Sequence, residues 1–146
     1  MTMQLVRPMA YADVEAGMTI PPRSFTVQRR DLIRYAGSAC DYNGIHWDDR
    51  LAADVGLPSP IAHGMFSMGL ALTALTDWAG DPGSVVDFGG KFPRLVPVPN
   101  DGVGARIDIE ATVVGKLDPP RVRVHLVVRF NGEKAVTMPR VILALR

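Results

Sequence analysis

Asp41, Asn43 and His46 stand within six residues of one another in the stretch SACDYNGIHWDD, 38 to 49. A carboxyl group and an imidazole can trade protons across a short gap, and burial that raises the carboxyl suits the pair further. The carboxamide of Asn43 could fix either group, or a water, in one orientation. By spacing alone the stretch fits a plain polar loop as well as an acid–base pair.

A reaction that builds negative charge on a carbonyl oxygen also needs donors. Gly64 opens an apolar run and follows His63. A helix start there offers free backbone N–H groups and a positive dipole end, and glycine has no side chain to block approach. The plainer role for Gly64 is a tight turn into the helix, and His63 itself reads as structural. Asp41, His46 and His63 lack a clean metal-ligand spacing, so no metal is expected.

Other chemistries find little support. No G-x-S-x-G elbow is present, and FGGKF (88–92) lacks the strand–helix setting of a phosphate loop. Cys40 is the single cysteine, so it forms no disulfide within the chain. It has no adjacent cation to activate it, and it reads as a small buried hydrophobe. Asp48 and Asp49 suit the positive end of a short helix.

The elements that must position these groups follow from periodicity. A strand is expected around Arg23 to Val27. RRDLIRYAGSA (29–39) places Leu32, Tyr35, Ala36 and Ala39 at helical spacing, with Thr26 the nearest good N-cap. DDRLAADVGLPSP reads as a second short helix, closed by Gly56, Pro58 and Pro60. From Gly64 to Ala79 the chain is apolar on nearly every side, which predicts a helix buried all round.

Past Gly80 the pattern turns to strands: SVVDFGGKF, GARIDIEATVVGKL, RVRVHLVVRF and KAVTMPRVILALR. NG at 131–132 predicts a tight hairpin. In RVRVHLVVRF, Val122, Val124, Leu126 and Val128 form one face. Arg121, Arg123, His125 and Arg129 form the other, a solvated face or a basic patch for an acidic partner such as an acyl carrier protein. The expected class is α+β, an antiparallel sheet wrapped round the apolar helix. Such a sheet covers one side of a helix, and a second subunit is a plausible cover for the other.

The chain of 146 residues suits one domain, 1–146. Sixteen basic and fifteen acidic side chains nearly cancel, which argues against a general nucleic-acid binder. MTMQLVRPMAYADVEAG has no continuous apolar core, so no signal peptide is expected. The longest apolar run, 64 to 80, falls short of a membrane span. A cytoplasmic location fits these features.

YAGSACDYNGIHWDDRLAADVGL and the following IAHGMFSMGL resemble the MaoC-like, or hydratase 2, family of (R)-specific enoyl hydratases and 3-hydroxyacyl dehydratases. Asp41, Asn43, Ile45, His46 and Ala52 fall on that family's core pattern, and Ala62 to Gly64 on its AHG. WAGDPGSVVDFGGKFPRLVPVPNDGVGA, 78 to 105, resembles the B subunits of actinobacterial (3R)-hydroxyacyl-ACP dehydratases. Two positions depart from the family: Cys40 stands where it usually has Gly, and Gly44 where it usually has Pro.

The resemblance implies a hot-dog fold whose domains pair through a continuous sheet. It puts the family's catalytic Asp and His on Asp41 and His46, its supporting Asn on Asn43, and its oxyanion glycine on Gly64. The implied reaction is reversible dehydration of a (3R)-hydroxyacyl thioester to the trans-2-enoyl thioester in fatty-acid metabolism, on an acyl-CoA or acyl-ACP substrate. It calls for no cofactor, because proton transfer and carbonyl polarisation suffice. The assembly would be a homodimer or a heterodimer with another hot-dog subunit. Two other roles compete: a stabilising or acyl-chain-holding subunit of a heterodimeric dehydratase, and a hot-dog acyl-thioesterase.

Overall fold

The computed structural model describes residues 8–146. Residues 1–7, part of the stretch read for a signal peptide, lie outside it. Along the chain come β1 (Thr19–Val27), α1 (Arg29–Ala39), α2 (Asp49–Asp54) and α3 (Gly64–Ala79). Then follow β2 (Val85–Lys91), β3 (Ala105–Lys116), β4 (Arg121–Phe130) and β5 (Glu133–Ala144). The strands form one five-stranded sheet in the order β1-β3-β4-β5-β2, with every pairing antiparallel. The α+β expectation holds, and all four second-half strands form where the alternation placed them.

Three local details refine the sequence reading. β1 starts earlier than expected, because a register shift between Ile20 and Arg23 absorbs Pro21 and Pro22 at the sheet edge. The N-cap of α1 is Gln28 rather than Thr26. The Gln28 backbone N–H donates to the Asp31 carboxylate at 2.8 Å, closing a reciprocal capping box, while Thr26 remains in β1. Asn131 and Gly132, with φ of 50° and 78°, make the expected hairpin, since both must sit in the left-handed region for a type I′ turn.

The core lies between the sheet and α3. Val122, Val124, Leu126 and Val128 of β4 face inward and meet Met68, Ala71 and Leu75 in one cluster. Each such large side chain stabilises by roughly 1.5–3 kcal/mol. Arg121, Arg123 and His125 sit exposed on the opposite face, as the alternation requires.

In the single chain α3 keeps open the side that the expected second subunit would cover. Met65, Gly69, Thr73 and Asp77, each four residues from the last, stay exposed in the single chain. A sheet on one side covers one stripe of a helix and no more. The edge strand β2 leaves two further large apolar side chains in water, Val86 and Phe88.

Candidate active site

The loop after α1 is tied at almost every residue. α1 closes on Cys40 in the left-handed region (φ 53°), and Asp41 N–H reaches back to Ala36 O at 3.1 Å. The Asp41 carboxylate then accepts from Asn43 N–H, and the Asn43 carboxamide oxygen accepts from Ile45 N–H, both at 3.2 Å. Gly44–His46 form a single 3-10 turn. Asp48 caps α2 by accepting from Arg50 and Leu51 N–H.

Asn43 therefore holds Asp41 through its backbone N–H, while its side chain caps the turn that delivers His46. Asp49 has a different task from Asp48. It takes two hydrogen bonds from buried Arg29, which also donates to Val98 O, so α1, α2 and the 96–98 segment are pinned together. The Arg29 guanidinium holds the Asp49 carboxyl below its usual range.

His46 is 8% exposed, and its Nδ1 lies 2.7 Å from Ile61 O. A carbonyl only accepts, so Nδ1 carries a hydrogen, and in the neutral ring Nε2 is the nitrogen with the lone pair. Ile61 is fixed in turn, because its N–H donates to Ile45 O at 3.0 Å.

His63, read from sequence as structural, lies between the two named groups. Its Nε2 donates to Asp41 O at 3.3 Å and stands 3.6 Å from Asp41 Oδ2. Its ring stacks on His46, with centroids 3.6 Å apart and planes 19° from parallel. Tyr35 lies 4.9 Å from the His63 ring, tilted by 59°, and makes an edge-to-face pair with Phe66 at 5.3 Å. His63 is 4% exposed, and burial pushes its pKa below the ordinary histidine value. The hydrogen bond to Asp41 opposes that shift, and His46 adds to it. Its Nδ1 is buried without a partner among the described residues.

Gly64 opens α3 beside this cluster. No hydrogen bond among the described residues takes up its N–H. A Cβ at Gly64 would stand 2.8 Å from the Phe92 ring, so glycine is required for packing as well as for access. Asp41, His46, His63 and Gly64 line one open cleft of about 290 Å³. Half of the Asp41 side chain is exposed there. The arrangement offers a base, an acid and an unpaired N–H at a positive helix end.

Donor atoms of Asp41, His46 and His63 lie within 4.8 Å of one another. The stacking argues against a metal all the same. A bound ion sits in the plane of each imidazole at about 2.1 Å from nitrogen. Two planes 3.6 Å apart and nearly parallel do not meet within that reach.

The two departures from the family pattern each have a local setting. Cys40 is exposed, not buried as its small apolar character suggested, because it closes α1 at the surface in a left-handed position, which glycine adopts at less cost. A Cβ at Gly44 would collide with the Leu51 side chain, so Leu51 now fills space that a larger residue would need.

An antiparallel sheet wrapped round one helix, with a cleft lined by Asp41, His46 and His63 at that helix's N-terminus, is a hot-dog fold. The chain belongs to the MaoC-like domain family, whose model matches residues 13–129. It is similar to the peroxisomal enoyl-CoA hydratase 2 of Arabidopsis thaliana, at 39% identity over 67 residues, 44% of this chain and 21% of that protein. Among solved structures it is similar to a MaoC-like dehydratase, with TM-score 0.86, 32% identity, and coverage of 95% of this chain and 43% of the other. It is also similar to the R-hydratase PhaJ1 from Pseudomonas aeruginosa, with TM-score 0.82, 28% identity, and coverage of 95% and 87%. The match thus spans about a fifth of the plant enzyme and less than half of the first of these structures. No helix among the described residues is long and apolar enough to cross a membrane.

Proposed function

We propose that this chain catalyses reversible dehydration of (3R)-hydroxyacyl thioesters to trans-2-enoyl thioesters in fatty-acid metabolism, with the carrier either CoA or an acyl carrier protein. The observation that carries the reading is the single cleft shared by Asp41, His46 and the Gly64 helix start. The Gly64 N–H binds the thioester carbonyl and stabilises the enolate-like charge. His46 takes the C2 proton on Nε2, the nitrogen left free by the bond to Ile61 O. Asp41 passes a proton to the departing hydroxyl as the C3–O bond breaks, which forms water. A proton passing from His46 to the Asp41 carboxylate through that water resets the pair. Asn43 supports the geometry by holding Asp41 and capping the His46 turn.

Hydration of crotonyl-CoA and longer enoyl-CoAs, followed by loss of enoyl absorbance, tests this function. D41N and H46A should each lower kcat by at least about 100-fold, as loss of a general acid or base does. Unchanged turnover in both variants overturns the site assignment. Release of free thiol instead of hydration would mark a thioesterase.

A second subunit is part of the proposal. The exposed stripe of α3 and the apolar edge at Val86 and Phe88 support a homodimer, or a heterodimer with another hot-dog subunit. Turnover by the purified chain as a homodimer would exclude a purely stabilising or acyl-holding role.

A further inference from the structure

A second cavity, of about 430 Å³, adjoins the catalytic cleft across Tyr35, whose side chain lines both. On α3 the wall passes from Gly64 and Met65 in the cleft to Phe66 and Leu70 in the groove. On α1 it runs from Ala39 back to Asp31, about 12 Å at the helical rise per residue. Phe25 and Val27 of β1 also line the groove.

Two chains of different chemistry leave a thioester carbonyl. The acyl tail is hydrocarbon. The carrier arm, phosphopantetheine in both CoA and acyl carrier protein, bears two amides and ends on a phosphate. The groove matches the second. Its apolar lining from Phe25, Val27, Phe66 and Leu70 is bordered by Thr26, Asp31, Arg34 and Ser38. A hydrocarbon tail laid there would take water from charged groups and return no hydrogen bond. An arm with amides and a phosphate meets hydroxyls and a guanidinium. Arg34 is largely exposed and holds Asp31 only loosely, at 3.7 Å, so its donors are available to an anion.

We infer that the α1–α3 groove seats the phosphopantetheine arm of the substrate's carrier, with Arg34 at the phosphate end and Tyr35 at the passage to the cleft. The inference rests on the thioester reading above. It makes the groove a determinant of carrier rather than of acyl-chain length.

Arg34→Glu and Ser38→Trp test it, since both positions are exposed and lie outside the acid–base cluster. Substrates are crotonyl-CoA, crotonyl-N-acetylcysteamine, which lacks most of the arm, and octenoyl-CoA. Binding of CoA alone is measured by calorimetry. Each variant should raise KM for crotonyl-CoA and Kd for CoA about tenfold, Arg34→Glu through loss of one charge-assisted contact and Ser38→Trp through bulk placed in the groove. The kcat on CoA and kcat/KM on the truncated thioester should stay unchanged. Equal losses on both crotonyl thioesters, or a loss that deepens from crotonyl- to octenoyl-CoA, would overturn the inference; the latter would assign the groove to the acyl tail. Unaltered CoA binding in both variants overturns it as well. A wild type that turns over nothing, but whose CoA affinity falls in both variants, removes the hydratase reading and leaves the groove standing.

Discussion

The imidazoles of His46 and His63 lie face to face, with centroids 3.6 Å apart, and His63 also holds the main chain of Asp41. One buried ring thus touches both members of the proposed acid–base pair. It fixes them relative to each other although neither bonds to the other's side chain. His63 is a positioning residue by this geometry.

His63→Phe keeps a flat ring on His46 and removes the donor to Asp41, while His63→Gln keeps a donor and loses the stack. His63→Phe is expected to lower kcat by at least about tenfold with little change in KM, because small misplacements of reacting groups are costly. His63→Gln should recover part of that loss. Steady-state kinetics on crotonyl-CoA checks both, and wild-type kcat in both variants would show that His63 only fills space.

The depressed pKa of His63 predicts a pH dependence of stability. The folded state binds its proton less readily than the unfolded chain does, whose histidine titrates near 6.5. The stabilisation is complete above that value and is lost as pH falls from about 6.5 toward the lower folded-state pKa. Urea midpoints measured from pH 7.5 down to 5 should fall in the wild type and fall less in His63→Gln.

Cys40 sits in the left-handed region at the close of α1. Cys40→Gly removes a steric cost of about 1–2 kcal/mol, offset in part by the greater freedom of glycine when unfolded. A net gain of up to about 1 kcal/mol is expected, visible as a raised urea midpoint with unchanged m-value.

The Gly64 N–H can be removed without breaking the helix. Proline is well tolerated at the first helical position, and His63 already has the extended backbone (φ −58°, ψ 138°) that precedes a proline. Phe92→Ala makes room for a side chain at Gly64. In that background Gly64→Ala keeps the N–H and Gly64→Pro deletes it. The proline variant should have a kcat about 100- to 1,000-fold below the alanine variant, the cost of one oxyanion donor. Equal rates would remove Gly64 from that role.

Much of this was legible in the chain. The limits of α1, the four second-half strands, the Asn131–Gly132 hairpin and the start of α3 follow from short-range period, turn chemistry and caps. Those signals act over a few residues. The family core around Asp41 and His46 could be read for the same reason, since its members lie in one loop.

The sequence by itself determined which segments are helix and strand, and which carboxylate and imidazole share a loop. Only the tertiary structure decided that His63, seventeen residues after His46, lies stacked against it. It also decided that Arg29 and Asp49 strap α1 to α2, and that Tyr35 borders both the cleft and the groove along α1. Periodicity states that a residue has a face but not what that face meets. That depends on how the sheet twists round α3, and chain separation carries no record of it.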